Sequence, residues 1–177
     1  MDTYEQVAES LRIEGIDRPP TEDEITEHER FTQLETLSIS ELEAFLKVFR
    51  PGARLRLYTG QDNIRVGSHV PPKSGEHIAA QLKALLTDIN AKTIDWWKAH
   101  IEFETLHPFS DGNGRLGRAI ASKMLRATSP SRGNLGFLHA FYLQTLNRCN
   151  TGVEKFLIHP DLVRNAQVEW PDVDLDK

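Results

Sequence analysis

Apolar residues along the chain recur mostly at helical spacing. Tyr4, Val7, Ala8 and Leu11 share one stripe, which predicts a first helix ending near Gly15, and Pro19-Pro20 break the chain after it. Thr21 stands three residues before Glu24, a capping box that opens a second helix through Ile25, His28 and Phe31. A third helix should start at Ser40, present Leu42, Phe45, Leu46 and Phe49 on one face, and stop before Pro51-Gly52. The period then changes. Arg54-Leu55-Arg56-Leu57-Tyr58 and Ile64-Arg65-Val66 alternate polar and apolar around a turn-rich Thr59–Asn63, predicting a β-hairpin over 54–70 that Pro71-Pro72 close. From Gly75 the helical spacing returns, with Ile78, Leu82, Leu85, Leu86 and Ile89 on one face. A more apolar helix carrying Ile94, Trp96, Trp97, Ile101, Phe103 and Leu106 should end at His107, because Pro108 disfavours continuation. Further helices are expected from Asn113 to about Ala127, from Leu135 to about Arg148, and over 153–157 and 162–167, before a loose acidic tail at 169–177. The fold class is mainly α, one domain over residues 1–177 with a single short hairpin.

The bulk numbers fit that picture. A chain of 177 residues can enclose a real hydrophobic core. Its net charge of −5 argues against non-specific nucleic-acid binding, which needs basic surface to displace counterions. Cys149 is the one cysteine, so no intrachain disulfide forms. The opening MDTYEQVAES lacks the basic and apolar regions of a secretory signal, and no apolar run approaches the ~20 residues that span a bilayer. The expectation is a cytoplasmic protein with neither nucleic-acid nor membrane partner.

The chemistry concentrates in His107-Pro108-Phe109-Ser110-Asp111-Gly112-Asn113-Gly114-Arg115-Leu116-Gly117-Arg118. A helix breaks at a His-Pro step and a loop of small residues runs directly into a new helix. Gly112 and Gly114 let backbone approach an anion, and the new helix offers free N–H groups and the positive end of its dipole. Arg115 and Arg118 lie three apart, on neighbouring positions of the first turns. Guanidiniums beside a helix start suit a polyphosphate. Asp111 supplies a carboxylate, and magnesium beside nucleotides takes one or two such groups plus phosphate oxygens. His107 carries a group whose ordinary pKa of about 6.5 suits removal of a hydroxyl proton. Together they indicate transfer chemistry at a phosphate.

This stretch resembles the Fic-family signature His-Pro-Phe-x-Asp/Glu-Gly-Asn-Gly-Arg-x-x-Arg at every defined position, and the resemblance extends to the wider plan of a helical bundle with a hairpin before the motif. It implies a Fic-type fold and transfer of AMP from ATP to a protein hydroxyl, with release of pyrophosphate. Carried over by position, His107 deprotonates a target Ser, Thr or Tyr, and Asp111 holds magnesium. Asn113 with the Gly112 and Gly114 amides contacts the phosphates, Arg115 grips the phosphate chain, and Arg118 reaches the γ-phosphate. Phe109 anchors the loop in the core. The hairpin at 54–70 corresponds to the family's flap, on which a target docks by strand addition. The chain itself is a further candidate target. Ser10-Leu11-Arg12-Ile13-Glu14-Gly15 resembles the family's inhibitory motif Ser/Thr-x-x-x-Glu-Gly/Asn, so the helix within 1–18 is expected to bring Glu14 to Arg118, in the place of the γ-phosphate.

Other functions fit less well. Gly112 to Gly117 also satisfies Gly-x-Gly-x-x-Gly, but about 20 residues on, where a dinucleotide site wants an acid, stands Gly136-Phe137-Leu138-His139. No His-x-x-x-His pair accompanies the isolated Cys149, so a zinc centre is not indicated. Alternatives within the resemblance are transfer of UMP or phosphate, or removal of AMP, at the same site. A nucleotide-binding module without turnover is the alternative outside enzymes. Intact His107 and Asp111 weigh against that last alternative.

Overall fold

The computed structural model of the chain describes residues 2–58, 64 and 69–128. Among them run six α-helices: α1 Thr3–Ile13, α2 Glu22–Gln33, α3 Ile39–Phe49, α4 Glu76–Ala91, α5 Trp96–Leu106 and α6 Asn113–Thr128. Side chains cap the first three. Asp2 and Glu5 form a capping box on α1, Thr21 and Glu24 form the expected one on α2, and the Ser38 hydroxyl accepts the Glu41 N–H on α3. The α1 helix stops at Glu14. Gly15 takes φ +72°, the Gly15 N–H reaches Arg12 O and the Ile16 N–H reaches Leu11 O. That pair of bonds is a Schellman turn, which favours glycine at its left-handed position.

Helix α6 occupies the middle of the bundle and packs against α5, α2, α3 and α1, while α4 lies on α5. The core between them is built from Val7, Leu11, Phe31, Phe45, Leu82, Phe103, Phe109, Leu116 and Ile120. Phe45 stacks on Phe49 at 4.2 Å between ring centroids and meets Phe31 at 4.9 Å. The expected inward faces of α3 and α4 are buried residue for residue. Asn90 joins the two layers of sequence: its side chain accepts the Leu37 N–H and donates to Leu37 O, both at 2.8 Å.

Two helix faces differ from expectation. Tyr4 is 47 % exposed, because α1 buries a narrower stripe of Val7, Ala8, Ser10 and Leu11. On α5 the Trp96 and Trp97 rings are only half-buried, and the inward face includes His100 and Glu104 beside Ala99, Phe103 and Leu106.

The expected hairpin over 54–70 falls largely outside the described residues. Its first arm pairs with the loop after α5. Leu55 bridges Phe109 in antiparallel sense, the Arg56 N–H donates to Pro108 O at 2.9 Å, and the Ser110 N–H donates to Arg54 O at 2.8 Å. The alternation is inverted relative to the apolar pattern: Arg56 is 1 % exposed while Leu55 and Leu57 are half-buried. The helices expected beyond α6, the tail at 169–177 and the aromatic residues Phe137, Phe141 and Tyr142 lie outside the described residues. Among the described residues no helix is long and apolar enough to cross a membrane.

Phe109 anchors this loop with a fully buried ring. Truncating it in Phe109→Ala should remove about 3–5 kcal/mol of unfolding free energy. Urea denaturation of the full chain measures this, and a loss below about 1 kcal/mol would mean that the ring is not a core anchor.

Candidate functional site

The site begins where α5 ends. His107 is the C-cap of α5 and adopts φ +47°, ψ 60°, a left-handed conformation uncommon for a residue with a Cβ. Its N–H closes the last helical turn on Phe103 O at 2.9 Å. A buried guanidinium holds the other side. Arg56 donates from Nε to His107 O at 2.7 Å, from one terminal nitrogen to Leu106 O at 2.9 Å, and from the other to Pro72 O at 2.9 Å. The carbonyls at a helix C-terminus lack intrahelical partners and carry its negative dipole end, so a cation that donates to them satisfies both needs. The alternating pattern gave no reason to single out Arg56 from Arg54, which is exposed.

From His107 the chain passes through Pro108 and Phe109 into the turn that starts α6. Asn113 fixes the turn's shape. Its side-chain oxygen accepts the Phe109 N–H at 2.9 Å and its amide donates to Phe109 O at 2.7 Å, leaving the residue 1 % exposed. The Asn113 side chain therefore ties the loop to the start of α6. Gly112 sits at φ +76°, and a Cβ there would stand 2.7 Å from a Leu46 methyl, so no other residue fits without displacement.

The charged groups gather around this turn. Asp111 accepts the Gly112 N–H on Oδ1 at 2.6 Å and Arg50 Nε on Oδ2 at 2.5 Å. Burial acts to raise its carboxyl, but the Arg50 and Gly112 hydrogen bonds and the nearby cations together hold it below the ordinary value. Arg115 is buried and donates to Phe49 O, the C-terminal end of α3, at 2.5 Å. Burial lowers its pKa against the fields of Glu14 and Asp111. Arg118, 1 % exposed, donates from Nε to the Ser10 hydroxyl at 2.9 Å and from a terminal nitrogen to Glu14 Oε1 at 2.6 Å. The same terminal nitrogen reaches Ser10 O at 3.1 Å. Gly114 makes room for this carboxylate, since a Cβ at that position would lie 2.6 Å from Glu14 Oε1.

Ser10, Glu14, Asp111, Gly112, Asn113, Gly114, Arg115 and Arg118 thus converge at the start of α6, across a loop from His107. Arg50 and Arg56 belong to the same constellation, although neither stands at a position that spacing or motif marks. Burial, then the charges of Arg56 and His69, lower the His107 imidazole from 6.5 to about 4, against the Glu104 carbonyl and the Asp111 carboxylate. The ring is neutral at neutral pH and able to accept a proton.

His28 and His100 are likewise lowered to about 4, chiefly by burial. With His107 this gives three imidazoles whose folded pKa lies below the ordinary 6.5. Between those values the unfolded chain binds more protons. Folding stability should therefore fall as pH drops from about 6.5 to about 4, by up to roughly 1.4 kcal/mol per pH unit for each group. Urea denaturation at pH 7 and pH 5 checks this, and equal stability at both would contradict the burial of these rings.

No curated protein matches the chain at a significant level. A family model described as Fic/DOC family matches residues 27–125, more than half of the chain, from within α2 to within α6, and includes the His107–Arg118 stretch. The chain belongs to the Fic/DOC family.

Proposed function

We propose that the chain is a protein adenylyltransferase that moves AMP from magnesium-ATP to a target hydroxyl, and that Glu14 keeps it silent until displaced. Members of the Fic/DOC family commonly transfer AMP onto proteins. The observation that carries the proposal is the Glu14 carboxylate against Arg118 and Gly114. The turn is built to take an anion, and a protein carboxylate already fills part of it. A triphosphate competing for the same donors would gain the α6 N-terminus, the Gly112 and Gly114 amides and two guanidiniums.

Asp111 suits a magnesium ion. It is the one acid in the 107–118 stretch, and its side chain is 47 % exposed. Among the described residues no group of three or more His, Cys, Asp or Glu could hold a metal by itself. A site with one carboxylate depends on phosphate oxygens to complete the shell, which is how magnesium sits beside nucleotides. Bound there, the ion would offset charge on the phosphates.

In the proposed reaction His107 takes the proton of a target Ser, Thr or Tyr. The freed oxygen forms a bond to the α-phosphorus, the bond from that phosphorus to the oxygen bridging the β-phosphate breaks, and pyrophosphate leaves. Arg115 and the loop amides offset the charge on the leaving group. Arg118, once released from Ser10 and Glu14, holds the γ-phosphate. A pKa near 4 makes His107 a weak base, and the approach of anionic phosphates raises it toward the useful range. The target segment docks along 54–70 by strand addition, a mode that relies on backbone bonds and says little about target sequence. Asn113 and Arg56 keep turn and base in register.

Incubation with labelled ATP and a cell lysate tests this. Glu14→Gly should label protein targets, or the chain itself, roughly 10-fold or more above the unaltered protein, the equivalent of one lost charge-assisted bond. His107→Ala in the same background should remove the label. No label from Glu14→Gly, or label that survives His107→Ala, refutes the proposal. Intact mass of the modified protein distinguishes AMP from UMP or phosphate.

A further inference from the structure

The Asp111 carboxylate has both oxygens engaged, and the two bonds differ in kind. Oδ1 takes the Gly112 N–H at 2.6 Å, a backbone bond inside a turn that φ +76° fixes. Oδ2 takes Arg50 Nε at 2.5 Å from a side chain that is 54 % exposed. Arg50 lies outside the 107–118 stretch. It is the C-cap of α3, with its own N–H bonded to Leu46 O at 2.7 Å. Its stem crosses the turn: a Cβ on Gly112 would stand 3.2 Å from the Arg50 Cβ. The root of this side chain is fixed and its tip is held by one exposed ion pair.

We infer that Arg50 is a stand-in for the divalent cation, holding Asp111 Oδ2 in the resting protein and competing with a metal for that oxygen. The inference rests on the proposal that Asp111 is the metal ligand. While no phosphate draws the Gly112 N–H away, Oδ1 keeps that bond, so a cation arriving alone meets Oδ2, where it and the guanidinium repel each other across one oxygen. The contact is also of a kind that gives way, because exposed ion pairs contribute little. Its function in the resting state is to keep the carboxylate aimed and charge-balanced without a metal. Its consequence is a threshold: a free divalent ion binds poorly, and a metal accompanied by phosphates, which offer Arg50 a new partner beside the turn, displaces it.

Titrating the uniformly 15N-labelled full chain with Mn2+ alone, and following paramagnetic broadening of the Gly112 amide, tests this. Arg50→Gln should lower the Mn2+ concentration at half-broadening by about threefold to fivefold. Arg54→Gln removes an equal charge from an exposed neighbour that does not touch Asp111, and should leave the midpoint within about 1.5-fold of the unaltered protein. Asp111→Asn should abolish the broadening. If Asp111→Asn abolishes it while Arg50→Gln leaves the midpoint unchanged, or while both arginine variants lower it equally, Arg50 is no stand-in and the metal role of Asp111 survives. Broadening that persists in Asp111→Asn overturns both. Unshifted amides of α4 and α5 in each variant establish that the fold is intact.

Discussion

One buried guanidinium ties the architecture together. Arg56 reaches from the segment after α3 to the carbonyls of Leu106 and His107 at the end of α5 and to Pro72 ahead of α4. Three parts of the chain, separated by up to 51 positions, meet on one side chain. The contact satisfies a helix end that would otherwise bury carbonyls without donors. It also holds His107 in a left-handed conformation that its own side chain disfavours. Asn113 repeats the device on the other flank of the loop, clamping Phe109 by both its N–H and its carbonyl. His107 and the turn are each set by a polar side chain that faces inward, so the geometry of the site is part of the core.

The turn they frame already sets one carboxylate against part of its positive charge. Glu14 sits at the C-cap of α1, where a Schellman turn with Gly15 in the left-handed region ends the helix. A helix stop and a carboxylate presented to Arg118 are therefore one structure. Removing one partner of such a pair leaves a buried charge uncompensated. A phosphate chain would supply that compensation, which gives physical content to the proposal that nucleotide and Glu14 exclude one another.

Much of this was legible in the sequence where apolar periodicity or a dense motif carried it. The inward faces of α3 and α4, the Thr21–Glu24 box and the break at His107-Pro108 follow from spacing alone. The stretch from His107 to Arg118 identified itself by residue types, and Ser10 with Glu14 by position ahead of it. Other features escaped because the rule in use assigns charges to solvent. In Arg54-Leu55-Arg56-Leu57 the leucines should have faced inward, yet Arg56 does, because its donors match carbonyls that only the folded loop presents. His100 and Glu104 on α5 were missed for the same reason. Gly117, the third glycine of the apparent Gly-x-Gly-x-x-Gly, makes space for the Glu104 carboxylate of α5. Arg50 gave no signal, since an arginine ending a helix ordinarily serves the dipole.

The central claim is that Glu14 stands where a nucleotide's phosphates belong. A crystal structure of the Glu14→Gly chain with magnesium and a non-hydrolysable ATP analogue addresses it most directly. Phosphates should lie on the Gly112 and Gly114 amides, with Arg118 turned from Ser10 to the terminal phosphate. Phosphates seated elsewhere, with Arg118 still bonded to the Ser10 hydroxyl, would contradict it.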